Sequence, residues 1–345
     1  MKQNTQNIYE VVSGLGIEEK MNLYEILKDA IDAELNIAGA EEERPACPHC
    51  GSPLVIRSGK QNGLPRHRCK SCGKYFCPTT KSLLGQSKLP KEAWYSYARC
   101  MVDSLTLREC QKRCGVSLKT SFFMRHRLIE CLRRHLPPFI AGKGCKVEID
   151  ETHVRSSFSG NHKNSGFKLP RPPRKRGGDK ISMAGGRDHV CVMTGINEQG
   201  DIFLDAVCIG RMSADQCGAA LAKHSVAGAI VSTDYHPSYN APLKDAGVMR
   251  HVKIASNTRS EGVINMVNSL HSRFKTFIRE FKGVSTKRLN NYLILFKWRE
   301  LAKRTDARML IVNQMANGHY ETTWRNMWNL PYPFDMETAY ESYLG

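Results

Sequence analysis

Four cysteines have the spacing of a metal site. They form two CxxC pairs separated by 18 residues, and each pair is a knuckle that turns two thiolates toward one another. Two such knuckles complete a tetrahedral Zn²⁺ site with no open position, which predicts a structural role. The predicted ligands are Cys47, Cys50, Cys69 and Cys72, and residues 45–80 are predicted to form a zinc ribbon around a β-hairpin.

Two aspartates belong to apolar, β-branched runs of the kind that form buried strands. Asp150 lies within KVEIDETHV, and Asp234 ends the run AGAIVST. A lone aspartate at a strand end is usually no more than that. Two carboxylates from neighbouring strands, however, offer the oxygen ligands that Mg²⁺ and Mn²⁺ prefer. The two residues are therefore predicted to hold a divalent cation together.

A strongly periodic segment, residues 260–281, is predicted to be an amphipathic helix that carries further polar candidates. Asn268 can bind a metal through its amide oxygen. Lys275 follows seven residues later, which returns it to the same face about 10.5 Å away. That distance is too long for a shared ion, but it suits a contact to a DNA phosphate. Taken alone, this segment is more often an ordinary helix with polar side chains on its exposed face.

Charge indicates what the chain binds. The formal net charge is +18, yet residues 1–46 hold 4 Lys and Arg against 10 Asp and Glu, which leaves +24 for the remaining 299 residues. A basic body of this size favours a polyanion, most often nucleic acid, over an ordinary basic enzyme. No run of about 18 apolar residues occurs and the start lacks a signal-peptide pattern, so we expect no membrane partner and a cytoplasmic location.

Two basic regions are candidates for DNA contact. Residues 88–137 predict helices with a turn at Gly115 and a cap at Ser117, the pattern of a helix-turn-helix region. The segment 168–180 holds six Lys or Arg, one acid and three prolines, which predicts a basic arm. An ordinary helical bundle and a solvated loop are the alternatives. The predicted DNA contacts are Lys119, Thr120, Arg125, Arg127, Arg174, Lys175, Arg176 and Lys275.

The order of strands and helices predicts a multidomain α/β chain. Three strands in hairpin order precede an α/β alternation, which favours a mixed sheet with helices, ribonuclease-H-like, whose first and fourth strands lie side by side. The predicted regions are 1–44 (an acidic amphipathic helix, with self-association as one possible role), 45–80 (the ribbon), 88–137 (the helix-turn-helix), 144–305 (the sheet domain with a basic insertion, 156–186) and 306–345 (an extension).

Several motifs occur in order along the chain: the CxxC pairs, EIDETHV, STDYHPSY, VNSLHSRFK and GVSTKRLNNYLILFKWRE. With these motifs, which span about residues 45–300, the chain resembles an insertion-sequence transposase of the DDE superfamily, in the branch with an N-terminal zinc ribbon and an Asp-Asp-Asn-Lys site. The resemblance implies that Asp150, Asp234 and Asn268 hold two Mg²⁺ or Mn²⁺ ions and that Lys275 is the downstream lysine. It also implies double-stranded DNA as partner, a homo-oligomer on paired ends and a prokaryotic, nucleoid-associated location.

One departure affects the predicted chemistry. The commoner superfamily pattern has Glu where this chain has Asn268, so a negative charge and a possible base are absent, and His271 or Glu151 are auxiliary candidates. The expected function is metal-dependent cleavage at transposon ends followed by strand transfer of the 3′-OH into target DNA. The alternatives are an inactive DNA-binding regulator with the same domains and a metal-dependent nuclease without strand transfer.

Overall fold

The computed structural model describes residues 11–23, 26–27, 45–61, 63–83, 87–159, 186, 188–254, 264–304 and 332–335. The chain forms two units, one of residues 1–91 with 312–321 and one of residues 92–311 with 322–345. Among the described residues no helix combines the length and apolarity that crossing a membrane requires.

The acidic N-terminal segment is described in part. Residues 11–14, 17–23 and 26–27 are helical, and the apolar side chains of Ile17, Met21 and Leu27 are exposed. The remainder of residues 1–44 and of the 306–345 extension, and most of the basic insertion, lie outside the described residues.

The cysteine-rich segment forms a small antiparallel sheet. Its strands are β1 (Val55–Gln61), β2 (Leu64–Cys69) and β3 (Tyr75–Phe76), in the order β1-β2-β3. Alternation along β1 and β2 sends Val55 and Cys69 to the same face, where they pack with Cys47 and Phe76 in a buried cluster. The hairpin predicted between the two CxxC pairs is confirmed.

Three helices open the second unit: α1 (Lys91–Val102), α2 (Leu107–Cys114) and α3 (Leu118–His135). Thr106 and Glu109 form a capping box at the start of α2, and Gly115 ends it in the left-handed conformation with φ 63°. The Ser117 side chain accepts from the Thr120 N–H at 3.1 Å and caps α3. The predicted helices, turn and cap are therefore present.

A five-stranded mixed sheet is the core of the second unit. In chain order its strands are β4 (Lys146–Arg155), β5 (His189–Asn197), β6 (Ile202–Ile209), β7 (Ile230–Thr233) and β8 (Arg250–Lys253). The spatial order is β6-β5-β4-β7-β8, with antiparallel pairs in the first three strands and parallel pairs from β4 to β8. The first and fourth strands are neighbours, as a ribonuclease-H-like sheet requires.

Helices cover both faces of this sheet. On one face, α4 (Ala214–Leu221) and α5 (Asn240–Asp245) bury a cluster that includes Ile149 and Phe203. The other face contacts α6 (Asn265–Glu280) and α7 (Leu289–Ala302). Helix α6 begins five residues later than the periodicity predicts, since Ile264 is its N-cap.

Helix α3 is joined to α7 by a buried amide. Asn291 donates to Nδ1 of His126 at 2.9 Å and accepts from Arg133 at 2.6 Å. Because a buried amide costs free energy unless it is hydrogen-bonded, these two bonds favour one arrangement of the helices. The helix predicted to contact DNA, α3, is thus held against α7, which packs on the sheet.

Candidate functional site

Strand register brings the two predicted aspartates together. The last parallel pair between β4 and β7 is Glu148 with Ser232, two residues before Asp150 and Asp234 respectively. Both aspartates therefore lie just past the point where the pairing between β4 and β7 ends. Glu151 joins them, and ligand oxygens of the three carboxylates all lie within 4.8 Å of one another.

The protein environment raises the pKa of two of these carboxylates, those of Asp150 and Glu151. Burial, together with the charges of Glu151 and Asp234, raises the pKa of Asp150 to about 7. Burial also raises the pKa of Glu151, although the Tyr239 hydroxyl partly opposes this rise. The Asp234 carboxylate accepts from the His236 N–H at 3.0 Å, which fixes its orientation.

This donor set fits a divalent cation. Three hard oxygen ligands lie close together, and each carboxylate is only partly buried, which leaves room for water or a substrate oxygen. A cation between them would neutralise the repulsion that raises the pKa of Asp150. Asp150, Glu151 and Asp234 are thus the residues of this cluster that would hold Mg²⁺ or Mn²⁺.

Glu148 attaches α6 to the strand that carries Asp150. Its carboxylate accepts from the Val267 N–H at 2.9 Å. The N-cap residue of α6, Ile264, has no side chain that caps the helix. Glu148 on β4 supplies the cap instead, although it lies 119 residues before Val267 in the sequence. Burial raises the pKa of Glu148, and the N–H groups of Val267 and Met266 oppose that rise.

A second contact joins the same strand and helix. His271 is buried and places Nδ1 3.8 Å from Oδ2 of Asp150. Its Nε2 lies 2.6 Å from the hydroxyl of Thr194 on β5, and that hydroxyl donates to the Asp150 carbonyl at 2.9 Å. Burial, with the positive charges of Lys275 and His153 nearby, lowers the pKa of His271 to about 4.

Asn268 and Lys275 flank these contacts. Both are exposed on α6. Asn268 lies between Val267 and His271, the two residues that attach the helix to β4. Lys275 is one turn beyond His271, close enough to lower the pKa of that histidine. The structure thus places both predicted residues on the helix beside the carboxylates.

The four cysteines of the ribbon converge as well. Sγ of Cys47 lies 3.7 Å from that of Cys72, and Sγ of Cys50 lies 3.6 Å from that of Cys69. Four sulfurs about 2.3 Å from a tetrahedral Zn²⁺ would be about 3.8 Å apart, so these distances fit the ion. The N–H of Cys72 lowers the pKa of the Cys69 thiol to about 6, which favours the thiolate that zinc requires.

Two of the predicted DNA contacts are corrected by the structure. Arg125 and Arg127 are 3% and 2% exposed, because every residue of α3 from Met124 to Ile129 is buried. Arg125 donates to the Leu105 carbonyl at 2.6 Å, and the Arg127 guanidinium lies 5.4 Å from the Trp94 ring. Neither side chain is available to DNA. Sequence spacing could not show that the middle of this basic helix is buried.

The remaining predicted DNA contacts differ in position. Lys119 is exposed and Thr120 is half-buried in the first turn of α3, where Ser117 binds the Thr120 backbone and hydroxyl. The basic arm, with Arg174, Lys175 and Arg176, lies outside the described residues.

The site belongs to a ribonuclease-H-like mixed sheet, with Asp150 in the middle of the first strand and Asp234 directly after the fourth. Residues 141–300 match the family model of the ISXO2-like transposase domain. This matched part of the chain therefore resembles an ISXO2-like transposase domain. It includes Asp150, Asp234, Asn268 and Lys275.

Two solved structures are similar at low identity. A simian T-cell lymphotropic virus intasome in complex with PP2A regulatory subunit B56 gamma is 13% identical, with 59% of this chain and 67% of that chain covered and a TM-score of 0.27. A pre-cleavage Mos1 transpososome is 12% identical, with 69% and 82% covered and a TM-score of 0.20. No curated protein matches this chain.

Proposed function

We propose that the chain is a DNA transposase that cuts strands at the ends of its element and joins the freed 3′-OH to target DNA. The observation that carries this proposal is the convergence of Asp150, Glu151 and Asp234 within a transposase domain. Clustered carboxylates repel the phosphodiester on their own, so their convergence makes chemical sense when they bind cations. When bound, two divalent ions activate the attacking oxygen and stabilise the leaving oxygen.

The residues around the cluster have separate tasks in this proposal. Asp150 is close both to Asp234 and to His271 on α6, so it is positioned to contact both ions. Asp234 would hold one ion, and the Asn268 amide oxygen would contribute to the other. Lys275 is exposed on the same flank of α6 and would contact a phosphate of the bound strand.

The reaction proceeds in two displacements of the same kind. In cleavage, a water oxygen bonds to phosphorus while the bond from phosphorus to the 3′ oxygen breaks, and that oxygen leaves as a 3′-OH. In strand transfer, this 3′-OH attacks a target phosphorus and displaces the target's own 3′ oxygen. No covalent bond between protein and DNA is required.

The zinc ribbon and the helices would recognise DNA rather than cut it. A closed four-cysteine site has no position for a substrate, so its role is structural. The exposed Lys119 in the first turn of α3 is the candidate DNA contact that remains there. Assembly of several copies on paired ends is part of the same proposal.

The test is a supercoiled plasmid that carries candidate ends, incubated with the full chain and Mg²⁺ or EDTA. Joined products support transposition, nicks alone indicate a nuclease, and a mobility shift without cutting indicates a regulator. Asp150→Asn should reduce cleavage about 10³-fold while DNA binding survives. Asp215→Asn, an exposed acid on α4, is the matched control and should cut normally. Full cleavage by Asp150→Asn contradicts the assigned site.

A further inference from the structure

The His271 side chain approaches the carboxylate cluster from α6. It is 7% exposed, and its Nδ1 is 3.8 Å from Oδ2 of Asp150. It does not share the mutual 4.8 Å spacing of Asp150, Glu151 and Asp234. His271 therefore approaches Asp150 without being equally close to both of the other carboxylates.

The hydrogen bonds fix which nitrogen carries the proton. The Thr194 hydroxyl has one hydrogen, and that hydrogen is donated to the Asp150 carbonyl at 2.9 Å. The same hydroxyl lies 2.6 Å from Nε2 of His271, so it must accept from an Nε2–H. A neutral imidazole protonated at Nε2 has its lone pair on Nδ1, the nitrogen that faces Asp150.

Two acceptors thus face each other in a largely buried place. The side chains of His271 and Asp150 are 9% and 22% exposed. Metal bonds of about 2.0 to 2.2 Å allow ligand atoms on one ion to be about 3 to 4 Å apart, which includes the observed 3.8 Å. A cation between the two atoms would join them.

We propose that Nδ1 of His271 is a ligand of the divalent cation on the α6 side of Asp150. Thr194 is its positioning residue, since the Nε2–H bond fixes the tautomer and the ring orientation, as partners of metal-bound histidines generally do. The inference rests on the proposed function, which supplies the cation.

The chemical consequence is a mixed donor set. Asn268, one turn before His271, brings a neutral amide where a carboxylate would add charge, and the imidazole adds a second neutral ligand. Nitrogen ligands suit transition metals better than Mg²⁺, which demands oxygen and retains water. His271 therefore favours Mn²⁺ over Mg²⁺ at this site.

The test uses Mn²⁺ as the probe and the full chain with zinc already bound. Electron spin echo envelope modulation should show ¹⁴N coupling from a directly bound imidazole, and histidine-selective ¹⁵N labelling should replace it with a ¹⁵N signal. His271→Gln, whose amide can still donate to Thr194, should lose the coupling and bind Mn²⁺ at least about tenfold more weakly. Its Mg²⁺ affinity should change less.

Two further variants support the interpretation. His153→Gln changes a half-buried histidine on β4 near His271 and should retain the coupling. Thr194→Val, nearly isosteric at a fully buried position, should weaken the coupling by releasing the ring. Circular dichroism and urea unfolding show that each variant folds. If His271→Gln fails to fold, the ¹⁵N experiment on the unchanged chain decides.

The outcomes separate the two proposals. Mn²⁺ binding that Asp150→Asn abolishes but that shows no histidine coupling would overturn this inference and leave the proposed function standing. Coupling that persists in His271→Gln, or disappears in His153→Gln, also overturns it. If no Mn²⁺ binding depends on Asp150, both fail.

Discussion

The cysteine cluster and the carboxylate cluster are both candidate metal sites, but they are built in opposite ways. Each half of the cysteine site comes from four consecutive residues, and the short sheet β1-β2-β3 brings the halves together. The carboxylate site combines a strand, the residue after another strand and a distant helix. The first is closed by four thiols; the second has the exposed Asn268 at its rim.

This difference indicates what each site is for. Four soft sulfur ligands would fill the coordination shell of Zn²⁺, so an ion bound by the ribbon would hold its fold together. Three partly buried carboxylates beside a helix leave ligand positions for water and substrate. The cysteine site would gain stability from its metal. The carboxylate site holds like charges close together whenever no metal is bound.

The largest expected effect concerns the closed site. Cys69→Ser should lose zinc and unfold β1–β3, because structural zinc supplies folding free energy on the order of 10 kcal/mol in small zinc domains. Zinc content and hydrogen exchange of the ribbon amides measure this. Cys77→Ser, outside the cluster, should retain the metal. Full zinc content in Cys69→Ser would show that the cluster is not the ligand set.

Replacing a predicted ligand of the carboxylate site should instead increase the free energy of unfolding when divalent ions are absent. The folded-state pKa of Asp150 is raised from 3.8 to about 7. Its stabilising contribution is therefore complete below about pH 4 and is lost as the pH rises to about 7. Asp150→Asn should be more stable than the unchanged chain above pH 7, by on the order of a few kcal/mol.

Urea unfolding at pH 4 and pH 8 in EDTA measures this second effect. The advantage of Asp150→Asn should nearly vanish at pH 4, and added Mn²⁺ should stabilise only the unchanged chain. An advantage that does not vary with pH would show that repulsion at Asp150 is not its cause.

A smaller effect tests how the open site is assembled. Glu148→Leu removes the carboxylate that caps α6 and should cost about 1–2 kcal/mol in the free energy of unfolding. It should also weaken Mn²⁺ binding about 10- to 100-fold, because α6 carries Asn268 and His271. Glu148→Gln keeps an acceptor oxygen, so its stability and Mn²⁺ affinity should lie between those of the unchanged chain and of Glu148→Leu.

The matched control for this variant is another capping carboxylate. Glu109 accepts from the Thr106 N–H at 2.7 Å at the start of α2, away from the carboxylates. Glu109→Leu should cost similar stability and leave Mn²⁺ affinity unchanged. Equal losses of Mn²⁺ affinity in both variants would mean that Glu148 acts through general stability alone.

The smallest effect tests whether DNA reaches the open site. Lys275→Gln should weaken DNA binding a few-fold and lower the slope of log K against log salt by about 1, as loss of one phosphate contact does. Lys223→Gln, which removes a lysine paired with Asp205 at 3.3 Å, is the control. Fluorescence anisotropy at several salt concentrations gives both slopes, and equal slopes would place DNA elsewhere.

Features determined by nearby residues could be predicted from the sequence. The CxxC knuckles, the Ser117 cap, the Gly115 turn and the strands around Asp150 and Asp234 follow from spacing and side-chain type, and the structure confirms these elements. The strand order also predicted that the two aspartates come together. Their roles in catalysis remain predictions.

Tertiary structure alone decided which distant groups meet. Glu148 caps a helix 119 residues away, and Thr194 orients His271 from another strand, pairings that no local pattern encodes. Basic residues on a helix usually face solvent, which predicts Arg125 and Arg127 as DNA contacts, yet both lie in the buried middle of α3. Sequence spacing sets geometry over a few residues through covalent bonds, whereas burial and contacts between elements depend on how the whole unit packs.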